Sequence, residues 1–181
     1  MTGAALPPQR EFLNDRLVVA ARAVDMVRRA DLAYATIPEG ELLLDVYRPA
    51  GHEGLLPAVI FLHGDAGAPE MVRHAKDWRA FGDWAALFGA EGLAAIPFGR
   101  RSTQAMTRWR DARSDVLTAL TFIRHRADDL GIDAERVGLF AFSAGGLWAI
   151  PAADHYGRGV RCVALYYPRL GYADLSEHES G

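Results

Sequence analysis

Short apolar runs alternate with amphipathic stretches along most of this chain. Continuous apolar character, typical of strands buried on both faces, recurs at 57–64, 93–98, 136–143 and 160–168. Between these runs, apolar residues recur at helical spacing over 78–88 and 116–127, and a further helix is expected over 144–156. Strictly alternating strands and helices predict parallel strands, right-handed crossovers and helices on both faces of the sheet.

The first part of the chain has a different pattern. Apolar residues at helical spacing predict a helix over 10–30, and a turn at 38–40 joins two strands at 32–36 and 41–47. These two strands would form an antiparallel edge of the sheet. We therefore predict one α/β domain over 1–181, a three-layer, mostly parallel, doubly wound sheet, with a helical segment at 1–30 and a polar tail at 169–181.

Composition narrows the classes of partner and compartment. The formal net charge of −3 gives no basic surface for nucleic acid or a membrane, and no apolar run reaches the ~20 residues of a membrane span. The single cysteine, Cys162, excludes an internal disulfide and is expected to be buried in its strand. The N-terminus lacks a signal-peptide pattern, so a cytoplasmic protein is expected. No spacing of Cys and His suggests a metal site, and no glycine-rich phosphate loop suggests a cofactor.

The sequence LFAFSAGGLWAI places Ser143 where a buried strand turns into a helix. Such a corner leaves room only for small side chains two positions before and after the serine, where Ala141 and Gly145 stand. The turn would expose the hydroxyl at the carboxyl end of the sheet, and the N–H of Ala144 would face an oxyanion. A serine at such a junction can also serve only as a helix N-cap.

Two stretches resemble the α/β-hydrolase superfamily. Residues 111–146 are similar to the lead-in and nucleophile elbow of its GxSAGG esterases and lipases and of dienelactone-hydrolase-like relatives, and 42–67 resemble its early strands and oxyanion loop. The resemblance implies a serine hydrolase that cleaves a small-molecule carboxylic ester through an acyl-serine intermediate. Ala141 replaces the first elbow glycine, and the oxyanion loop reads HGDAG where many members have HGGG.

By the same resemblance, the oxyanion hole would use the backbone N–H groups of Asp65, Ala66 and Ala144. Backbone donors survive any substitution except proline. The carboxylate of Asp65 would oppose a developing oxyanion unless it points to solvent or an arginine neutralises it. An arginine group follows the predicted strand at 93–98, either to hold an acidic substrate group or as solvated surface: Arg100, Arg101, Arg108, Arg110 and Arg113.

The catalytic base is the weakest part of the resemblance. In the superfamily the acid and then the histidine follow the serine, usually after two further strands, but this chain ends 13 residues after Pro168. A structural role is implied for His63, and four other histidines are expected to be surface or structural residues: His52, His74, His125 and His155. Asp174 and His178 remain, and they preserve the order of acid and base after Ser143.

Two alternatives stay open. The chain is either an esterase with the triad Ser143, Asp174 and His178, or a shortened family member that lacks its base and serves only for interaction. In the second case, the apolar strand at 160–168 would form an exposed sheet edge, which favours homodimerisation through that strand.

Overall fold

The computed structural model describes residues 24–65 and 68–171. Its strands are β1 (Met26–Ile37), β2 (Gly40–Pro49), β3 (Leu56–Leu62), β4 (Ala94–Ile96), β5 (Ile132–Phe142) and β6 (Val160–Tyr166). Its α-helices are α1 (Pro69–Arg73), α2 (Arg79–Ala90), α3 (Trp109–His125), α4 (Ala127–Leu130) and α5 (Gly146–Tyr156). The strands form one sheet in the order β1-β2-β4-β3-β5-β6.

The sheet has the mixed character that the sequence predicts. Strands β4, β3, β5 and β6 pair in parallel, with Ile60 of β3 opposite Ile96 on one side and Leu139 on the other. The β1–β2 hairpin pairs antiparallel and joins β4 through an antiparallel bridge. The carboxyl ends of β3, β4 and β5 therefore lie at the same edge of the sheet, where the loops that follow them meet.

Helices cover both faces of the sheet. Apolar residues of α3 and α5, such as Leu120 and Trp148, pack in the larger core cluster with β-strand residues such as Ile60. On the opposite face, α2 contributes Phe81 and Ala85 to an aromatic-rich cluster with Phe61. The predicted three-layer arrangement is thus confirmed.

The helix predicted over 10–30 is wrong from residue 24 onward. Residues 24–25 have no regular structure and β1 begins at Met26, while residues 1–23 lie outside the described part of the chain. Residues 26–29 pair with β2, with Val27 opposite Arg48. Their apolar spacing fits a helix locally, but pairing with a strand of the sheet satisfies the backbone instead, and the exposed Val27 needs no buried helix face.

β6 forms one edge of the described sheet, and this explains a second correction. Cys162 lies in a strand as predicted, but it is exposed rather than buried. Both faces of β6 are open from residue 161 onward, with Leu165 and Tyr166 about half exposed at 45% and 55%. Within residues 24–65 and 68–171, no helix is both long and apolar enough to cross a membrane.

Candidate active site

Ser143 stands at a sharp turn between β5 and α5. Its φ is +54°, in the left-handed region that non-glycine residues rarely adopt. A 3₁₀ turn over Ser143–Gly145 leads directly into α5. A Cβ at position 145 would stand 1.8 Å from the carbonyl oxygen of Leu62, so only glycine fits there. The sequence predicts that only a small residue fits at position 145, and the structure gives the reason, because this position lies against the backbone of β3.

The loop after β3 passes directly over this corner. A Cβ on Gly64 would lie 3.1 Å from Ser143 Oγ and 2.9 Å from the backbone nitrogen of Ala144. Glycine at this position therefore keeps open a small space that touches both the hydroxyl and an N–H at the start of the helical segment. Such a space, bordered by a nucleophile and a backbone donor, is what an acyl oxygen needs during nucleophilic attack.

The carboxylate of Asp65 is held by the loop that follows β4. Its Oδ2 accepts hydrogen bonds from the Thr103 backbone N–H at 2.8 Å, from Thr103 Oγ1 at 2.5 Å and from Ser102 Oγ at 3.1 Å. Its Oδ1 forms an ion pair with Arg100 Nη2 at 2.8 Å. Burial alone would raise the pKa of Asp65, but Arg100 and these hydrogen bonds outweigh it and hold the pKa below its usual value.

Arg100 is a fully buried cation, not a surface charge. Its Nη2 also donates to the carbonyl oxygen of His63 at 3.1 Å, and its guanidinium lies 5.8 Å from the ring centre of Trp148 in α5. Arg100 therefore neither forms solvated surface nor is free to hold an acidic substrate group, the two roles considered for the arginine group. It meets instead the condition placed on Asp65, because an arginine neutralises that carboxylate.

The other members of the group are paired or lie on the surface. Arg101 donates two hydrogen bonds to the buried Asp115, from Nη2 to Oδ1 at 2.6 Å and from Nε to Oδ2 at 2.9 Å. Arg108 pairs with Asp111 at 2.6 Å, and Arg110 and Arg113 are exposed on α3. These pairings favour the interpretation of a surface loop over that of a site for an acidic substrate group.

A strained turn follows the residues that hold Asp65. Gln104, Ala105 and Met106 all have positive φ, which costs roughly 1–2 kcal/mol for each non-glycine residue. Ser102 Oγ accepts from the Gln104 N–H at 3.1 Å, and Thr103 Oγ1 accepts from the Met106 N–H at 3.4 Å. The same two hydroxyl groups thus bind Asp65 and stabilise this turn.

An open cleft of about 100 Å³ lies beside the turn. The end of β1 and the turn after it, α1 and the loop after β4 line it with mostly charged and polar side chains: Ile37, Glu39, Pro69, Glu70, Arg73, Arg101, Ser102, Gln104 and Arg108. Since Ser102 also binds Asp65, the cleft adjoins the oxyanion loop.

His63 precedes the oxyanion-loop glycine and is buried in the aromatic cluster. Its ring packs 5.4 Å from Trp78 and 5.7 Å from Phe98, measured between ring centres, and Nδ1 donates to the carbonyl oxygen of Gly64 at 2.8 Å. Burial, and after it the positive charge of Arg100, lowers the pKa of His63 to about 3. A neutral, buried ring with this hydrogen bond fits the structural role that the sequence suggested.

The remaining described histidines lie at the surface. His52, His74 and His125 are exposed, and His155 Nε2 is hydrogen-bonded to Thr121 Oγ1 at 2.8 Å. Three residues singled out from the sequence, Ala66, Asp174 and His178, lie outside the described residues. The structure thus brings Ser143 and Ala144 together with Gly64, the residue before Asp65, whereas the proposed acid and base lie outside the described residues.

The segment after β6 returns to the elbow. The backbone N–H of Arg169 donates to the carbonyl oxygen of Ser143 at 2.8 Å. A Cβ on Gly146 would stand 2.6 Å from the carbonyl oxygen of Arg169 and 2.7 Å from Pro168 Cβ. The chain therefore runs past the serine immediately before the segment that carries Asp174 and His178.

Sequence reasoning did not find the role of Arg100. The sequence has one feature that indicates close backbone packing here, Gly99, which directly precedes Arg100. A Cβ at Gly99 would stand 1.8 Å from the carbonyl oxygen of Arg73. This glycine lets the end of α1 lie against the loop after β4, and the backbone N–H of Arg100 reaches the carbonyl oxygen of Val72 at 3.4 Å.

Several solved structures that are similar to this one are those of esterases. Esterase B from Lactobacillus rhamnosis, in a form inhibited by a C6-C4 SN3 compound, is 22% identical, with a TM-score of 0.65 over 87% of this chain and 56% of its own. Esterase 2 of Thermogutta terrifontis, phosphoramylated by tabun, is 21% identical, with a TM-score of 0.60 over 85% of this chain and 62% of its own. Brefeldin A esterase, a bacterial homologue of human hormone sensitive lipase, is 22% identical, with a TM-score of 0.57 over 85% and 44%. No curated protein matches the sequence.

At this level of identity the similarity establishes the fold, which is that of the α/β hydrolases. The chain spans about half the length of these esterases. The BD-FAE family model matches residues 44–156, from β2 through the elbow to the end of α5 and more than half of the chain. On this match and the fold that accompanies it, the chain belongs to the BD-FAE family.

Proposed function

We propose that this protein is a serine hydrolase that cleaves a small-molecule carboxylic ester through an acyl-serine intermediate. The observation that carries the proposal is the corner at Ser143. The serine has a left-handed backbone conformation, and the space kept open by Gly64 touches both its hydroxyl and the N–H of Ala144. A serine that serves only as a helix cap needs neither the strained φ nor the open space beside its hydroxyl.

The reaction follows from this arrangement. Ser143 Oγ attacks the ester carbonyl carbon while His178 takes the hydroxyl proton and Asp174 orients the histidine. The N–H groups of Ala144 and Asp65, with that of Ala66, stabilise the negative charge on the carbonyl oxygen. The C–O bond to the alcohol then breaks, and the histidine returns its proton to the departing oxygen. Water hydrolyses the acyl-serine by the same steps in reverse.

The path of the chain supports His178 as the base. Arg169 is hydrogen-bonded to Ser143 itself, so the nine residues from there to His178 need only fold back over the elbow. Extended, they reach about 30 Å, which is far more than this requires. The single cysteine of the sequence favours a reducing compartment such as the cytoplasm for this activity.

Turnover of a short-chain aryl ester by three variants tests the proposal. Ser143→Ala is expected to abolish turnover, and His178→Gln to lower kcat about 1,000-fold or more, as removal of a general base does in such triads. His52→Gln, which replaces an exposed loop histidine, is the matched control and is expected to keep the wild-type rate. Turnover that survives Ser143→Ala would overturn the proposal, and turnover that survives His178→Gln would remove His178 from it.

A second candidate function rests on the open edge at β6. This strand leaves its outer backbone groups unpaired within the described sheet and exposes Val163, Leu165 and Tyr166. We propose that two copies pair through β6, either alongside catalysis or as the sole role of the chain. Light scattering over a range of concentrations is expected to show a dimer that Leu165→Lys weakens. A monomer at high concentration contradicts this proposal.

A further inference from the structure

We propose that Asp65 and Arg100 form a positioning pair for the oxyanion loop. The pair fixes the peptide between Gly64 and Asp65 against Ser143, and it keeps the charge of the Asp65 carboxylate from acting on the oxyanion. The inference rests on the proposed function, since it assigns a role in that reaction to residues that do not touch the substrate.

The carboxylate of Asp65 is held by several groups at once. Both oxygens of Asp65 are occupied, Oδ2 by three donors from Ser102 and Thr103 and Oδ1 by the guanidinium of Arg100. All of these partners belong to the loop after β4. The side chain of Asp65 is thereby fixed on the β4 side, and the backbone of residue 65, the second proposed oxyanion donor, is fixed with it.

Arg100 lies between the oxyanion loop and α5. One side of its guanidinium contacts the oxyanion loop, at the carbonyl oxygen of His63 and at Asp65. Another contact is with Trp148, in the helix that follows the nucleophile. Because Arg100 is fully buried, its charge must be balanced within the protein, and Asp65 supplies that balance. A single residue therefore contacts both the oxyanion loop and the helix that follows the nucleophile.

The turn that follows Ser102 and Thr103 has a strained backbone. Three consecutive non-glycine residues have positive φ, and the hydroxyl groups that support them are the ones that bind Asp65. Strain of this kind persists only where the surrounding contacts enforce it, and it occurs most often near functional sites. Here those contacts converge on the carboxylate of Asp65, the residue that follows Gly64.

The charges predict an unusual pattern of kinetic effects. Arg100→Met leaves the Asp65 carboxylate unneutralised next to the developing oxyanion and is expected to lower kcat about 100-fold, with little change in KM. Asp65→Asn removes that charge but keeps a side chain of the same shape, and its expected loss is about 10-fold. In the double variant the opposing charge is gone, so kcat is expected to return to about the level of Asp65→Asn. Arg100→Lys, which keeps the charge, is expected to lose less than Arg100→Met.

The experiment compares kcat and KM for these four variants with the wild type, with circular dichroism as the check of folding. Asp133→Asn and Arg136→Met are the matched controls, because they break an ion pair at the opposite end of β5 and are expected to leave kcat unchanged. A double variant whose loss equals or exceeds the product of the single losses overturns the proposal, as does a wild-type kcat for Arg100→Met. If Arg100→Met or Asp65→Asn does not fold, Arg100→Lys and the double variant, in which no buried charge is left without its partner, provide the comparison.

Amide hydrogen exchange separates this proposal from the proposed function. Exchange in the segment 62–65 is expected to accelerate about tenfold or more in Asp65→Asn and Arg100→Lys, and to stay at the wild-type rate in the two controls. Unchanged exchange in the segment overturns the pair as a positioning device even if the enzyme is active. Faster exchange in a protein with no ester turnover supports the pair and rejects the proposed function.

Discussion

The buried imidazole of His63 gives the stability of this fold a pH dependence that begins at about pH 6.5, above the range in which carboxylates titrate. Folding removes this ring from water and places it near Arg100, and these two effects lower its pKa to about 3. In the unfolded chain the ring has an ordinary histidine pKa of about 6.5. As the pH falls below that value, the unfolded state binds a proton that the folded state does not, so stability is lost.

The size of the loss follows from the two values. Above about pH 7 both states are neutral at this residue and the full contribution is present. Each pH unit below about 6.5 costs roughly 1.4 kcal/mol, so the change from about pH 7.5 to about pH 5 lowers the free energy of unfolding by about 2 kcal/mol. For a chain of this length that loss corresponds to a fall in Tm of roughly 4–8 °C.

Urea unfolding at both pH values measures the effect. His63→Asn keeps a donor for the carbonyl oxygen of Gly64 but cannot take up a proton in this range. It is expected to be less stable at neutral pH, because ring contacts with Trp78 are lost, and to lack about 2 kcal/mol of the pH-dependent loss. His52→Asn, at an exposed position, serves as the control and is expected to keep the loss. If the free energy of unfolding depends on pH equally in the wild type and in His63→Asn, then His63 is not the source of the pH dependence.

Two further substitutions test the site and its support. Gly64→Ala places a methyl group against Ser143 Oγ and the Ala144 N–H, and is expected to lower kcat about 100-fold. Gly82→Ala, at a helix position with open space around it, is its control, and equal activity of the two variants would contradict the open space as the oxyanion site. Asp115→Ala removes a buried carboxylate that accepts three hydrogen bonds from Arg101, and is expected to cost about 2 kcal/mol in thermal unfolding. A loss within the range of a surface pair, about 0–1 kcal/mol, would contradict that burial argument.

Much of the fold could be predicted because its strongest signals are local. Parallel strands buried on both faces must be apolar throughout, so β3 and β5 stand out from their sequence alone. The corner at Ser143 is also predicted from the sequence, because small residues flank the serine between an apolar run and a helical stretch, although the contact that excludes a Cβ at Gly145 comes from Leu62 of β3. The start of β1 was missed because its pairing with β2 is a non-local interaction, whereas the spacing of its apolar residues also fits a helix.

The supporting charges were beyond what sequence patterns specify. The sequence predicts that the carboxylate of Asp65 opposes a developing oxyanion unless it points to solvent or an arginine neutralises it. Which arginine neutralises it depends on how the loops after β3 and β4 meet, because Asp65 and Arg100 are 35 positions apart. Within the arginine group, Arg100 alone is fully buried, and composition gives no means of separating it from Arg101.

Whether Ser143 is an activated nucleophile is tested most directly by reaction with a fluorophosphonate probe and measurement of the mass of the intact protein. A single covalent adduct is expected on the wild-type chain, and it should map to Ser143 and be absent from Ser143→Ala. A folded wild-type chain that forms no adduct, or one whose adduct persists in Ser143→Ala, would contradict the claim that this serine is an activated nucleophile.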